Sequence, residues 1–174
     1  MALIQMLAPI MVTTRACVIN MLLANESIGV NIANDQGDYP LHVIPFDESY
    51  ALTLLSNLYE KGADRSSLNQ AHQTCLYLAS KARNLEVVRR LMDEKDSDVR
   101  LLDNSDLSPI HHAVRRGHLD GVRFMFERCE REHPQTWHLP DHFGKSLLPH
   151  VESDFPFMEI IEFLLQCGCK VDHP

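Results

Sequence analysis

The sequence predicts an all-α solenoid, a stack of helix-turn-helix units joined by short hairpin-like loops. Three observations carry that prediction. Paired residues, aliphatic except at Gly121, recur as Val18-Ile19, Leu54-Leu55, Val87-Val88, Gly121-Val122 and Ile160-Ile161, with first members 36, 33, 34 and 39 residues apart. Each pair precedes an apolar cluster by three or four residues: Met21-Leu22-Leu23, Leu58-Tyr59, Leu91-Met92, Phe124-Met125-Phe126 and Phe163-Leu164-Leu165. Such spacing puts pair and cluster on one helical face. Glycines at 62, 117 and 168 stand where helices must end, because only glycine takes positive φ without steric cost. A register kept between segments, and not only within them, marks a repeat. One such unit cannot bury its own apolar face and must stack on its neighbours.

The chain divides into five units forming a single domain over residues 1–174. In the first, 1–33, the apolar run Met1–Ala24 is interrupted by Gln5, Pro9, Thr13, Thr14, Arg15 and Asn20 and lacks a basic start. It reads as a buried helix pair rather than a signal peptide or a membrane span. Unit 34–68 opens on Asn34-x-x-Gly37-x-Tyr39-Pro40-Leu41-His42 and closes on Gly62-Ala63-Asp64. Pro45 falls inside its first helix, which should therefore be short or kinked. Unit 69–102 carries Thr74-Cys75-Leu76-Tyr77-x-Ala79 and Asn84-Leu85-Glu86-Val87-Val88.

Unit 103–140 is the clearest copy, with Leu107-Ser108-Pro109-Ile110-His111-His112-Ala113 followed by Gly117-His118-Leu119-Asp120-Gly121-Val122. Ser108 suits a helix cap, and Pro109 in the first turn forfeits no hydrogen bond. Extra residues between Arg128 and Pro140, Trp137 among them, predict a projecting loop or a lengthened second helix. Unit 141–174 keeps Asp141-x-x-Gly144-x-Ser146-Leu147-Leu148 and Gly168-Cys169-Lys170-Val171-Asp172. Pro149 and Pro156 make its first helix the weakest element.

These phrases resemble the ankyrin-repeat pattern D-x-x-G-x-T-P-L-H-x-A, G-x-L-x-V-V-x-x-L-L, G-A-D-V-N over nearly the whole chain. The resemblance implies stacked helix pairs with hairpin fingers, a concave face that receives protein partners, and a structural histidine bridging neighbouring loops at His42 and His111. Pro149 replaces that histidine in the last unit. A strongly apolar first unit, where such arrays usually end in a polar cap, and a stop at His173-Pro174 where a further hairpin would begin suggest a segment of a longer protein.

A formal charge of −8 and a pI near 5.6 argue against nucleic acid or an acidic membrane as the partner. The charge is uneven. From Lys81 to Arg128 there are ten Lys/Arg against nine Asp/Glu, while the remainder has six against fifteen. Five cysteines without framework spacing suit a reducing compartment, which makes the cytoplasm the expected location, with the nucleus as an alternative.

No nucleophile elbow, phosphate loop or HExxH is present, so an enzyme is not expected, nor a cofactor. His133, His138, His142 and His150 with Cys129, Cys167 and Cys169 are too loosely spaced for a zinc site, and no metal is expected.

The expected function is a non-catalytic protein–protein interaction module binding on its concave and finger face. The alternative is a regulatory segment of a larger enzyme, kinase or channel, making intramolecular contacts or self-associating through the apolar first unit. Finger residues Tyr39, His72, Gln73, Leu107, His142 and Phe143 are candidate contacts, with Tyr39, Leu107 and Phe143 either exposed anchors or packed against the next finger. Lys81, Arg83, Arg115 and Arg116, at the ends of first helices, are expected on one side of neighbouring repeats, either as a solvated basic face or as a basic groove suited to an acidic peptide. His112, also a candidate contact, and His118 are expected to face solvent.

Overall fold

A computed structural model describes residues 29–93, Val99, 101–132, 147–151 and 157–169. Among them are six α-helices: α1 (Ala51–Glu60), α2 (Cys75–Lys81), α3 (Leu85–Met92), α4 (Pro109–Arg115), α5 (Leu119–Glu132) and α6 (Met158–Gln166). Two 3-10 helices, Pro40–Val43 and Leu148–His150, complete the set. Most of the first unit and the whole of the segment 133–146 lie outside the described residues.

Two layers result. The 3-10 helix Pro40–Val43, α2, α4 and the 3-10 helix Leu148–His150 pack in succession, as do α1, α3, α5 and α6 behind them. The paired residues explain why. Leu54, Leu55, Val87, Val88, Val122 and Ile160 are all buried, and Ile161 is half-buried. Each outer helix thus carries an apolar stripe facing the inner layer and the adjacent outer helix or helices. Ala79 and Ala113, both fully buried, let α2 and α4 approach closely.

The outer layer adds a stacking pattern of its own. The Arg89 guanidinium lies 4.8 Å from the Phe124 ring centroid, and that of Arg123 lies 5.3 Å from Phe163. Each arginine reaches from one helix to an aromatic of the next, covering apolar surface while its charge stays at the edge.

The helix breakers act as expected. Pro45 follows a first helix of only four residues, in 3-10 form. In the last unit the helix around Pro149 is a three-residue 3-10 turn. Between units four and five the second helix is lengthened, α5 running fourteen residues to Glu132. Gly62, Gly117 and Gly168 have φ of +80°, +67° and +82°. Arg83 stands one unit before Gly117 and adopts φ +60°, a conformation that costs a side-chain-bearing residue about 1–2 kcal/mol.

Asn84 caps α3, its Oδ1 accepting the Val87 N–H at 3.1 Å. His118 holds the same register before α5 and is corrected from a surface residue to a buried one, 4% exposed. Gly121 makes that burial feasible, since a Cβ there would stand 2.4 Å from His118 Nδ1. The glycine that interrupts the series of aliphatic pairs is therefore the space in which the ring sits.

Candidate functional site

The fingers close through one device, used three times. Asn34, Asn69 and Asp103 each begin a hairpin whose side-chain oxygen accepts two backbone N–H groups. Asn34 Oδ1 receives those of Gln36 (3.0 Å) and Asp38 (2.8 Å), and Asn69 Oδ1 those of Ala71 and Gln73 (3.0 Å each). Asp103 Oδ1 receives those of Ser105 (2.8 Å) and Leu107 (3.1 Å). Short polar side chains of this kind imitate a backbone turn. In each loop the fourth residue adopts positive φ: Gly37 at +72°, His72 at +60° and Asp106 at +58°.

Neighbouring fingers are then bonded into a row. Asn69 Nδ2 donates to Asp38 Oδ1 at 3.0 Å, Asn104 N–H to the Ala71 carbonyl at 3.0 Å, and Asn104 Nδ2 to the Gln70 carbonyl at 2.8 Å. His42 accepts the Tyr39 N–H on Nδ1 (3.1 Å) and donates Nε2–H to the Gln73 carbonyl (2.9 Å). That is the bridging role implied for it. His111 Nδ1 similarly takes the Ser108 N–H at 3.2 Å and lies 2.7 Å from Ser108 Oγ. In the intervening unit Tyr77 occupies the histidine position, and its hydroxyl donates to the Leu101 carbonyl. A row fixed this way presents its surface without ordering loops at the moment of binding.

Between the row and the inner helices lies a polar pocket of about 360 Å³, lined by Gln73, Lys81, Asp103, Ser105, His112, Arg115 and Arg116. Five of these are sequence-predicted contacts. Asp103 is buried, with Oδ2 accepting from Gln73 Nε2 (2.6 Å) and His112 Nε2 (2.8 Å). Burial alone would push its carboxyl up. The hydrogen bonds from Gln73, His112, Leu107 and Ser105 prevail and hold it below the ordinary carboxylate range. With four donors on it, Asp103 is satisfied within the chain.

The cations around it are not. Lys81 ends α2, Arg115 ends α4 and Arg116 follows as its cap. Both arginines are exposed and Lys81 is half-exposed. Among the described residues none of the three forms an ion pair.

Several expectations need correction. His112 is 5% exposed rather than outward-facing, because the hairpin folds Asp103 back under it. Gln73 is 7% exposed, its amide spent on Asp103, and Leu107 is 5% exposed and turned inward, packed rather than an exposed anchor. Tyr39 is half-buried, tilted on His42 with ring centroids 5.8 Å apart. His72 is exposed at its fingertip. Arg83 is exposed but does not line the pocket; its charge acts on His118 instead. His142 and Phe143 lie outside the described residues.

Cys167 and Cys169 have no thiolate character. Burial raises both thiols, that of Cys169 to about 11. Among the described residues no three His, Cys, Asp or Glu side chains gather where they could hold a metal ion. No helix of the described residues is long and apolar enough to cross a membrane.

Asp103 was not among the candidates, although its signal was available. Asn34, Asn69 and Asp103 recur 35 and 34 residues apart, the period of the aliphatic pairs.

A two-layer array of helix pairs, with a bonded row of fingers along one edge, defines a repeat-built binding scaffold. The family model described as Ankyrin repeats (3 copies) matches residues 46–135, just over half of the chain. The chain belongs to the ankyrin-repeat family. It is similar to Ankyrin repeat protein nuc-2 of Neurospora crassa, with 26% identity over 113 residues, 64% of this chain and 10% of that protein. The matched part is thus a tenth of the curated relative's length. Ankyrin repeats are in general protein–protein interaction modules.

The buried histidines make the array acid-sensitive. Burial lowers the pKa of His42, His112 and His118, only partly offset by the Gln73 carbonyl, the Asp103 carboxylate and the Ser80 carbonyl respectively. The unfolded chain therefore takes up protons near pH 6.5 that the folded chain refuses. Stability is complete above that pH and falls as pH drops through it. Below about pH 4 protonation of Asp103 adds to the loss. Urea midpoints should be lower at pH 5.5 than at pH 7.5, and equal midpoints would contradict this account.

Proposed function

We propose that the chain binds a protein partner on its finger and inner-helix face, without chemistry, and that the partner presents an acidic segment there. The observation that carries this reading is the convergence of Lys81, Arg115 and Arg116 on one pocket while the chain as a whole has a charge of −8. Acidic residues abound elsewhere, yet none among the described residues neutralises these three cations. Guanidinium groups present fixed forks of donors that match carboxylates in pairs, and a local positive field steers acidic chains toward it.

Helix C-termini favour cations through the macrodipole, which accounts for Lys81 and Arg115 separately. It does not require that they and Arg116 line a shared cavity. His72 at its fingertip, with Tyr39 beside the same row, would extend the contact along the fingers.

A peptide array tests the reading. Acidic peptides should be retained over neutral and basic ones of equal length, and Arg115→Glu with Arg116→Glu should release them. Equal retention of all classes, or retention untouched by the charge reversal, would sink it.

A further inference from the structure

Beneath the cations lies a titratable group with a defined protonation path. His112 Nε2–H is committed to Asp103 Oδ2 at 2.8 Å, so Nδ1 is the nitrogen left to take a proton. The ring lines the pocket directly. Its surroundings are known on each described side. Tyr77 of α2 meets it edge-on, with ring centroids 5.6 Å apart. Asp103 of the hairpin lies below, Lys81 comes from the end of α2, and Arg115 and Arg116 from its own helix end.

We propose that a side-chain carboxylate of the acidic partner seats in this pocket against Lys81, Arg115 and Arg116, and that His112 takes up a proton as the seat is filled. The proposal rests on the reading of the face as an acidic-partner site and adds regulation to it: binding strengthens as pH falls.

The free pocket resists protonation for identifiable reasons. Desolvation disfavours the imidazolium, and the charges of Lys81 and Arg115 repel it, against the attraction of Asp103. An incoming carboxylate alters two of these three. It screens the two cations from the ring, and it supplies a second counter-charge close by. The bound state therefore holds the proton more tightly than the free state. Linkage is reciprocal, so a proton on His112 strengthens carboxylate binding by the same factor that the carboxylate strengthens proton binding.

The experiment measures the affinity of a fluorescent hexaglutamate peptide by anisotropy between pH 7.5 and 5.5 at fixed ionic strength, with hexaglutamine as the uncharged probe. Glutamate carboxyls stay ionised across most of this range, so a rise in affinity reports on the protein. Far-UV circular dichroism at each pH confirms that the helices remain folded. Wild type should bind hexaglutamate roughly three- to tenfold more tightly at pH 5.5 than at 7.5, the size expected when a ligand raises a neighbouring pKa by up to about one unit.

His112→Gln keeps an N–H donor for Asp103 but cannot titrate, and its affinity ratio between the two pH values should fall to near one. An NMR titration of the His112 ring should show its midpoint moving to higher pH when hexaglutamate is added.

A wild-type ratio near one, with binding still abolished by Arg115→Glu and Arg116→Glu, overturns the proton linkage and leaves the acidic-partner reading standing. A ratio that survives His112→Gln overturns the assignment to this residue. Absence of hexaglutamate binding at every pH, or hexaglutamine binding equally well, overturns both the carboxylate seat and the acidic-partner reading.

Discussion

Replacing Asp103 by alanine is expected to remove about 3–5 kcal/mol from the stability of the array. The carboxylate is buried and receives the Gln73 amide, the His112 imidazole and the N–H groups of Ser105 and Leu107. Alanine would deprive all four donors of their acceptor at once, and water from the adjoining pocket would replace it only in part. It would also remove one of the links between two neighbouring fingers, because Gln73 belongs to the preceding hairpin. A domain of this size commonly holds about 5–15 kcal/mol in total, so this loss would be a large share of it. Asp103→Asn keeps one carbonyl oxygen and should fall between wild type and alanine. Urea unfolding at pH 7.5 measures the series, and a loss below about 1 kcal/mol for the alanine variant would show that the fingers hold together without this network.

The second large effect concerns Gly117. Alanine there must adopt φ +67°, at a cost of about 1–2 kcal/mol, and its Cβ would stand 2.8 Å from Phe157 Cε1. Crowding that ring adds about 1–3 kcal/mol, so the total loss is expected at about 2–5 kcal/mol. Arg83 offers the reverse experiment. It holds the same kind of backbone with a side chain attached, and Arg83→Gly should stabilise the chain by about 0.5–1 kcal/mol once glycine's own entropic cost is included. Opposite signs at positions 34 residues apart would show that both belong to one repeated turn. If Gly117→Ala and Arg83→Gly shift the urea midpoint in the same direction, the positions are not equivalent.

The layered fold was readable because it depends on local periodicity. Leu54-Leu55 and Val87-Val88 announce a buried helical face wherever they occur, and Gly62, Gly117 and Gly168 announce where helices stop. Pro45 and Pro149 reported shortened helices for the same local reason. The site was less readable because its contacts join residues far apart in the chain. Nothing beside His112 in the sequence shows that a hairpin brings Asp103 beneath it, nor that Gln73, 30 residues earlier, shares the same oxygen. Leu107 looked like an exposed tip until the Asp103 loop drew its N–H, and the residue with it, inward. Lys81, Arg115 and Arg116 line one pocket because helix ends in a stack share a register. Arg83 shares the sequence neighbourhood, but a left-handed turn carries it out of the pocket lining.

The acidic-partner account is tested most directly by a charge-swap cycle. Wild type and the Arg115→Glu, Arg116→Glu variant are each titrated with hexaglutamate and hexalysine at one pH and ionic strength, with unfolding curves confirming that both remain native. The account predicts that wild type binds hexaglutamate and not hexalysine, and that the variant loses hexaglutamate binding by roughly a hundredfold or more, in line with truncation or reversal of charges that anchor an interface. An undiminished hexaglutamate affinity in the folded variant would contradict it.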